Sequence, residues 1–132
     1  MKITQTIIDE MLAHAREGYP NEVCGLIAGK NGLVSRIFRT TNIDESSISY
    51  MMEPAEQFRA FKEMRAEGLE LLAIYHSHPT SPAYPSETDV RLAYYAEAAY
   101  LIVSLQNVGA PVIKGFRILD GKITEETLEV IQ

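Results

Sequence analysis

The chain has 132 residues, 46% of them hydrophobic, enough to bury one sizeable core but not two, so a single domain over residues 1–132 is expected. Eighteen Asp and Glu against twelve Lys and Arg leave a formal charge of −6, and no basic run or aromatic-basic cluster offers a track for a phosphate backbone, which argues against nucleic acid as a partner. The amino end has neither the basic nor the apolar region of a signal peptide, and the longest apolar run, Ala98 to Val103, is far below the roughly 18 residues of a membrane span. A cytoplasmic location with no membrane partner is the expectation.

In chain order, Thr4 can cap a first helix, in which Ile7, Ile8, Met11, Leu12 and Ala15 recur at helical spacing until Gly18 and Pro20 stop it. Strands are expected at 22–29 and 33–40, joined by Asn31-Gly32, the dipeptide best suited to a tight hairpin turn. Residues 41–48 read as a polar loop and 49–52 as a short strand. Pro54 then opens a helix with Phe58, Phe61 and Met64 on one face and Gly68 at its end. A strand at 69–76 follows, then a proline-rich loop, a helix from Ser86 to about Ala98, and strands at 99–105 and 113–119. Asp120-Gly121 makes a second hairpin turn into a final edge strand at 122–130, although Glu125 to Val130 also reads as a short helix. The order gives an α/β fold: one mixed sheet with flanking helices, with no internal repeat or interdomain linker. Tyr94, Tyr95 and Tyr100 are most simply packing residues.

Chemistry concentrates in His76-Ser77-His78-Pro79 and the Ser86 and Asp89 that follow. If Leu71 to His76 is a buried strand, the extended backbone sends side chains at i and i+2 to the same side, and His76 and His78 converge. Imidazole nitrogen and carboxylate oxygen both suit zinc, and a catalytic zinc has three protein ligands with a fourth position for water. Asp89 can be the third. Pro79, Pro82 and Pro85 make 79–85 a stiff surface loop, after which Ser86 is placed as a helix N-cap with Asp89 in the first turn. For those two residues alone, a capping box is the competing reading. It loses weight because two histidines lie immediately upstream in a chain with only one other, His14. His14 has no second ligand at i+3 or i+4 and reads as a surface or helix-end residue. The lone Cys24 excludes an intrachain disulfide and reads as a small apolar filler.

The pattern His76-x-His78, seven residues, Ser86, two residues, Asp89, with Glu22 upstream in Asn21-Glu22-Val23-Cys24-Gly25-Leu26-Ile27-Ala28-Gly29, resembles the JAMM (MPN+) metalloprotease family, in its compact prokaryotic form. The resemblance runs from about Glu22 to the strand near Phe116. It implies the JAMM/MPN fold, which is cytidine-deaminase-like, and one Zn2+ per chain held by His76, His78 and Asp89. It also implies that Glu22 is the general base acting through the zinc-bound water and that Ser86 steadies the oxyanion. The residues alone leave Glu22 open to a plainer reading, a solvated carboxylate at a strand start.

The resemblance further implies hydrolysis of a peptide or isopeptide bond after the terminal Gly-Gly of a ubiquitin-like or sulfur-carrier protein, the carrier's tail lying in a groove as an added strand. A zinc hydrolase of small peptides or a metabolite amide is the main alternative. A noncatalytic MPN-type scaffold should have lost ligands that this chain keeps. A nucleobase deaminase would need the pair of cysteine ligands that one cysteine cannot supply, and a structural zinc site would take a fourth protein ligand.

Overall fold

The computed structural model describes residues 1–132. Eleven elements follow one another: β1 (Lys2–Thr4), α1 (Gln5–Gly18), β2 (Cys24–Lys30), β3 (Leu33–Thr40), α2 (Pro54–Glu67), β4 (Glu70–His78), α3 (Glu87–Arg91), β5 (Ala99–Ser104), β6 (Val112–Leu119), β7 (Lys122–Glu126) and β8 (Glu129–Ile131). The strands form one sheet in the order β7-β6-β5-β4-β2-β3-β1-β8. β4 runs parallel to β5 and β1 parallel to both β3 and β8, while the remaining neighbours are antiparallel. The mixed sheet with flanking helices is the α/β arrangement expected from the sequence.

The central strands are buried on both faces, and their alternation sorts the core into two layers. Ile27, Tyr75, Leu101 and Val103 meet Met11 and Ala15 of α1 on one face. Leu26, Ile74, Tyr100 and Ile102 meet Ala60 and Met64 of α2 on the other. Each large aliphatic side chain buried this way contributes about 1.5–3 kcal/mol. His76 and His78 continue the Ile74 side of β4, so the strand's period delivers both imidazoles to the α2 face.

The turn at Asn31-Gly32 has positive φ at both residues, 52° and 75°, and Asp120-Gly121 repeats it at 51° and 78°, the backbone that matches the twist of a two-residue hairpin. Thr4 caps α1 by accepting the Ile7 N–H, and α2 has Pro54 in its first turn and ends at Gly68. No helix is long and apolar enough to cross a membrane.

Several elements depart from the sequence reading. The strand expected from Glu22 is β2 and begins at Cys24, and β4 extends through His78. The strand expected at 49–52 is reduced to a single Asn42–Met52 bridge, because the Asn42 side chain takes the Met51 N–H and the Ser49 carbonyl that a strand partner would use. The helix expected to reach Ala98 stops at Arg91. There the Tyr100 hydroxyl accepts the Tyr95 N–H at 3.0 Å, and the following residues turn tightly instead of continuing the helical ladder. Phe58 is exposed, so α2 packs through Ala60 and Met64 with Phe61 half-buried.

At the carboxyl end, 122–130 is neither one strand nor a helix. It divides into β7 and β8, which lie at opposite rims of the sheet with only Thr127 and Leu128 between them. The sheet therefore curls until its rims meet. β8 pairs with β1, a strand too short for periodicity to reveal, and the Met1 ammonium bonds the Glu126 carboxylate and the Thr127 carbonyl, both at 3.2 Å.

Candidate active site

At the end of β4, His76 Nε2 and His78 Nε2 lie 3.2 Å apart. Asp89 Oδ2 completes a triangle, 3.1 Å from His76 Nε2 and 3.0 Å from His78 Nε2. The structure thus brings together the three residues that the spacing picked out. α3 places Asp89 through its cap: Ser86 Oγ accepts the Asp89 N–H at 3.0 Å, and the Ser86 N–H donates to Asp89 Oδ2 at 2.9 Å. The capping box and the turn toward the histidines, which competed as sequence readings, coexist. One carboxylate oxygen accepts from the cap while facing both imidazoles.

The donor set fits a zinc ion. Zinc bonds of about 2.0–2.1 Å put neighbouring tetrahedral ligands roughly 3.3 Å apart, close to the edges of this triangle. His78 Nδ1 lies 2.8 Å from the Pro82 carbonyl, which can only accept, so Nδ1 carries the proton and Nε2 offers its lone pair. The proline loop thereby sets the tautomer of His78. Burial acts to lower the His78 pKa, but its bonds to Asp89 and Pro82 outweigh burial and raise it. Burial holds His76 below its ordinary value, against the pull of Asp89. Burial would raise Asp89, yet the two adjoining imidazoles and the Ser86 N–H hold it well below the usual carboxylate range. Two inward imidazole nitrogens beside an ionised carboxylate are a donor set suited to a cation.

Glu22 is not the solvated carboxylate of the plainer reading. It is 5% exposed, and its Oε1 is buried without a hydrogen-bond partner. Burial pushes its pKa up to about 8, with the Asp89 charge adding and His78 opposing. The adjoining chain is pinned to the metal strand, because Ser77 donates its N–H to the Val23 carbonyl and accepts the Val23 N–H on Oγ at 2.8 Å. Ser77, the spacer between the histidines in sequence, is thus a fastening for the Glu22 segment.

The Tyr50 ring stacks on His76, with centroids 4.6 Å apart and planes 27° apart. Nothing in the sequence marked it, since it lies in an irregular connection. Beside it opens an apolar cleft of about 310 Å³ lined by Tyr50, Met51, Met52, Leu92, Tyr94 and Tyr95 among others. Tyr94 is largely exposed and Tyr95 half-buried, whereas Tyr100 is a true core residue.

Of the two residues set apart from the site, Cys24 is the cross-strand neighbour of His76, and His14 lies on the other face of the sheet. Cys24 is fully buried with Sγ 3.3 Å from Thr40 Oγ1, and burial raises its thiol to about 11. His14 is not a surface residue: it is half-buried, and its Nδ1 lies 2.7 Å from the Tyr75 hydroxyl on the sheet face opposite His76. Burial, then the nearby Arg39 charge, lowers it to about 4.

The family model for prokaryotic homologs of the JAB domain matches residues 4–118. The chain is 36% identical over 132 residues to the CysO-cysteine peptidase of Mycobacterium tuberculosis, covering 98% of this chain and 90% of that one. It is 36% identical over 109 residues to the "Probable TtuB-protein conjugate cleaving protease" of Thermus thermophilus, covering 82% and 72%. The solution structure of a Desulfitobacterium hafniense protein superposes with a TM-score of 0.91 at 41% identity, covering 99% of this chain and 92% of that one. With the His76–His78–Asp89 triangle, the buried glutamate and the curled sheet all in place, the chain belongs to the prokaryotic JAB family, the compact form of the JAMM (MPN+) proteins.

Proposed function

We propose that this protein is a zinc-dependent isopeptidase-type hydrolase that cuts the amide after the carboxyl-terminal Gly-Gly of a ubiquitin-like or sulfur-carrier protein. The observation that carries the reading is the convergence of His76, His78 and Asp89 on one point beside a buried, unpartnered Glu22. The names of the two relatives, one a peptidase of CysO-cysteine and one a protease of TtuB conjugates, support the substrate class. The whole of 1–132 acts as one such domain, in the cytoplasm.

His76, His78 and Asp89 would hold the ion. When bound, zinc lowers the pKa of water to roughly 7 and polarises a carbonyl. Glu22, buried beside the cluster with an unpartnered Oε1, takes the proton of the attacking water and returns it to the departing amine. Ser86 keeps its hydroxyl proton free, since Oγ accepts from Asp89 N–H, and its O–H donates a hydrogen bond to the carbonyl oxygen as negative charge develops there. The carrier's tail lies along the site, where two glycines pass without side chains to clash, and the cleft beside Tyr50 receives the apolar chain that precedes or follows them.

The test compares, at fixed zinc, an intact carrier conjugate, the same conjugate with its penultimate Gly changed to Val, and a free peptide copying the tail. The first should be cut fast and the other two slowly. Equal rates on all three would favour the small-peptide or metabolite hydrolase instead.

A further inference from the structure

The connection between β3 and α2 is the least regular part of the chain, yet one side chain uses its whole hydrogen-bonding capacity there. Asn42 Nδ2 donates to the Glu22 carbonyl and to the Ser49 carbonyl, each at 3.0 Å. Its Oδ1 accepts the N–H groups of Asp44 and Met51, each at 3.0 Å. A carboxamide has two donors and two acceptor positions, and all four are taken. Two carbonyls face one end and two N–H groups the other, so the network also fixes which end is oxygen.

The partners are not a random sample of the loop. Ser49 C=O and Met51 N–H are the peptide groups on either side of Tyr50, whose ring stacks on His76. The third is the carbonyl of Glu22 itself. The Glu22 N–H closes the arrangement by donating to the Ser46 carbonyl at 2.8 Å, inside the same loop. No regular strand pairing supports either segment at this point: Glu22 precedes β2, and residues 43–51 belong to no element.

We propose that Asn42 is a positioning residue for hydrolysis: its one carboxamide holds the main chain at Glu22 and at Tyr50 in a common frame around the His76–His78–Asp89 cluster. It touches none of the ligands and no reacting atom, and acts through the placement of Glu22. A displacement of about 1 Å in such a group costs on the order of 10²-fold in rate, so the frame matters to turnover without mattering to metal capture. The inference rests on the reading of Glu22 as proton carrier.

The first readout is amide exchange on the metal-free protein. The Glu22 and Met51 amides should be protected in the wild type and lose protection in Asn42→Ala, while the Gly25 to Ala28 amides of β2 stay protected in both. Asn42→Asp is the second variant, since it keeps an acceptor for Met51 N–H but has no donor for the Glu22 and Ser49 carbonyls. It should keep the Met51 protection and still lose turnover. The second readout is kinetic. Asn42→Ala should bind about one zinc per chain and show kcat lowered about 10- to 100-fold with KM little changed. In a Glu22→Gln background the same substitution should cost nothing further, because the residue it positions is gone. Unprotected Glu22 and Met51 amides in the wild type, or protection unchanged in Asn42→Ala, would overturn the proposal. So would an equal loss of kcat in both backgrounds. Glu22→Gln turning over like the wild type would instead refute the role of Glu22, and with it the catalytic half of this proposal.

Discussion

Glu22 separates from His76, His78 and Asp89, the proposed ligands, in what its loss should do. His76→Ala or Asp89→Ala should strip most of the zinc, read by elemental analysis after dialysis, because a three-ligand site cannot spare one. Glu22→Gln should keep the metal and the fold and lose nearly all turnover. The same variant makes a pH prediction for the metal-free protein. A carboxyl whose folded pKa is raised, here to about 8 from 4.5, contributes stability that is complete below the unfolded value and lost as pH rises through the folded one. Thermal melts between pH 5 and 9 should show wild type falling relative to Glu22→Gln, and parallel curves would contradict the buried, proton-retaining carboxyl. Of these residues, the histidine pair was legible in sequence because the two-residue period of a strand is a local rule. Glu22 needed the family pattern, since nothing local tells a buried carboxylate from a solvated one. Tyr50 and Asn42 were not legible, because their contacts depend on how an irregular loop folds back over β4.

Single elements carry their own tests. α3 is only five residues long, so its cap is a large share of what holds Asp89 in place. Ser86→Ala removes the Oγ that accepts the Asp89 N–H as well as a donor for the developing oxyanion. It should lower kcat by about 10²–10³ with zinc retained, and lower stability by about 1 kcal/mol as a lost N-cap, read by denaturant melts. A loss confined to metal content would mean that Ser86 serves only to aim Asp89. The expected reach of this helix to Ala98 failed because propensity favoured it while the Tyr100 hydroxyl claimed the Tyr95 N–H, a tertiary contact that no pattern records. Between α1 and β4, His14 shows the opposite proton linkage to Glu22. Its pKa is depressed by burial to about 4, so the unfolded chain takes up the proton first as pH falls. The contribution is complete above about 6.5 and erodes toward the folded value, so the wild type should lose more melting temperature between pH 7.5 and 5 than His14→Gln. Equal losses would place His14 in solvent.

For the molecule as a whole, the sheet order was hidden although most of its strands were not. β2 to β6 follow from hairpin turns and apolar runs, but β1 and β8 are three residues each, and β8 has only β1, far away in the chain, as its partner. Their protection should differ accordingly. Hydrogen exchange should be slowest in β2, β4 and β5, where both faces are buried, and fastest in β1 and β8, where few bonds hold the rim. Uniform protection across all eight strands would mean that the rim is as firmly joined as the centre.

The rim seam also sets an order of events. Pairing Lys2 with Glu129 closes a loop of nearly the entire chain, the most expensive contact in entropy and the slowest to find. The ligand strand, by contrast, needs only neighbours drawn from β2 and β5. During synthesis, which proceeds from the amino end, His76, His78 and Asp89 emerge before β8, the segment that seals the sheet. The strands around His76 and His78 can therefore pair while β1 still waits for its partner, and the β1–β8 seam fastens a sheet whose centre is already formed.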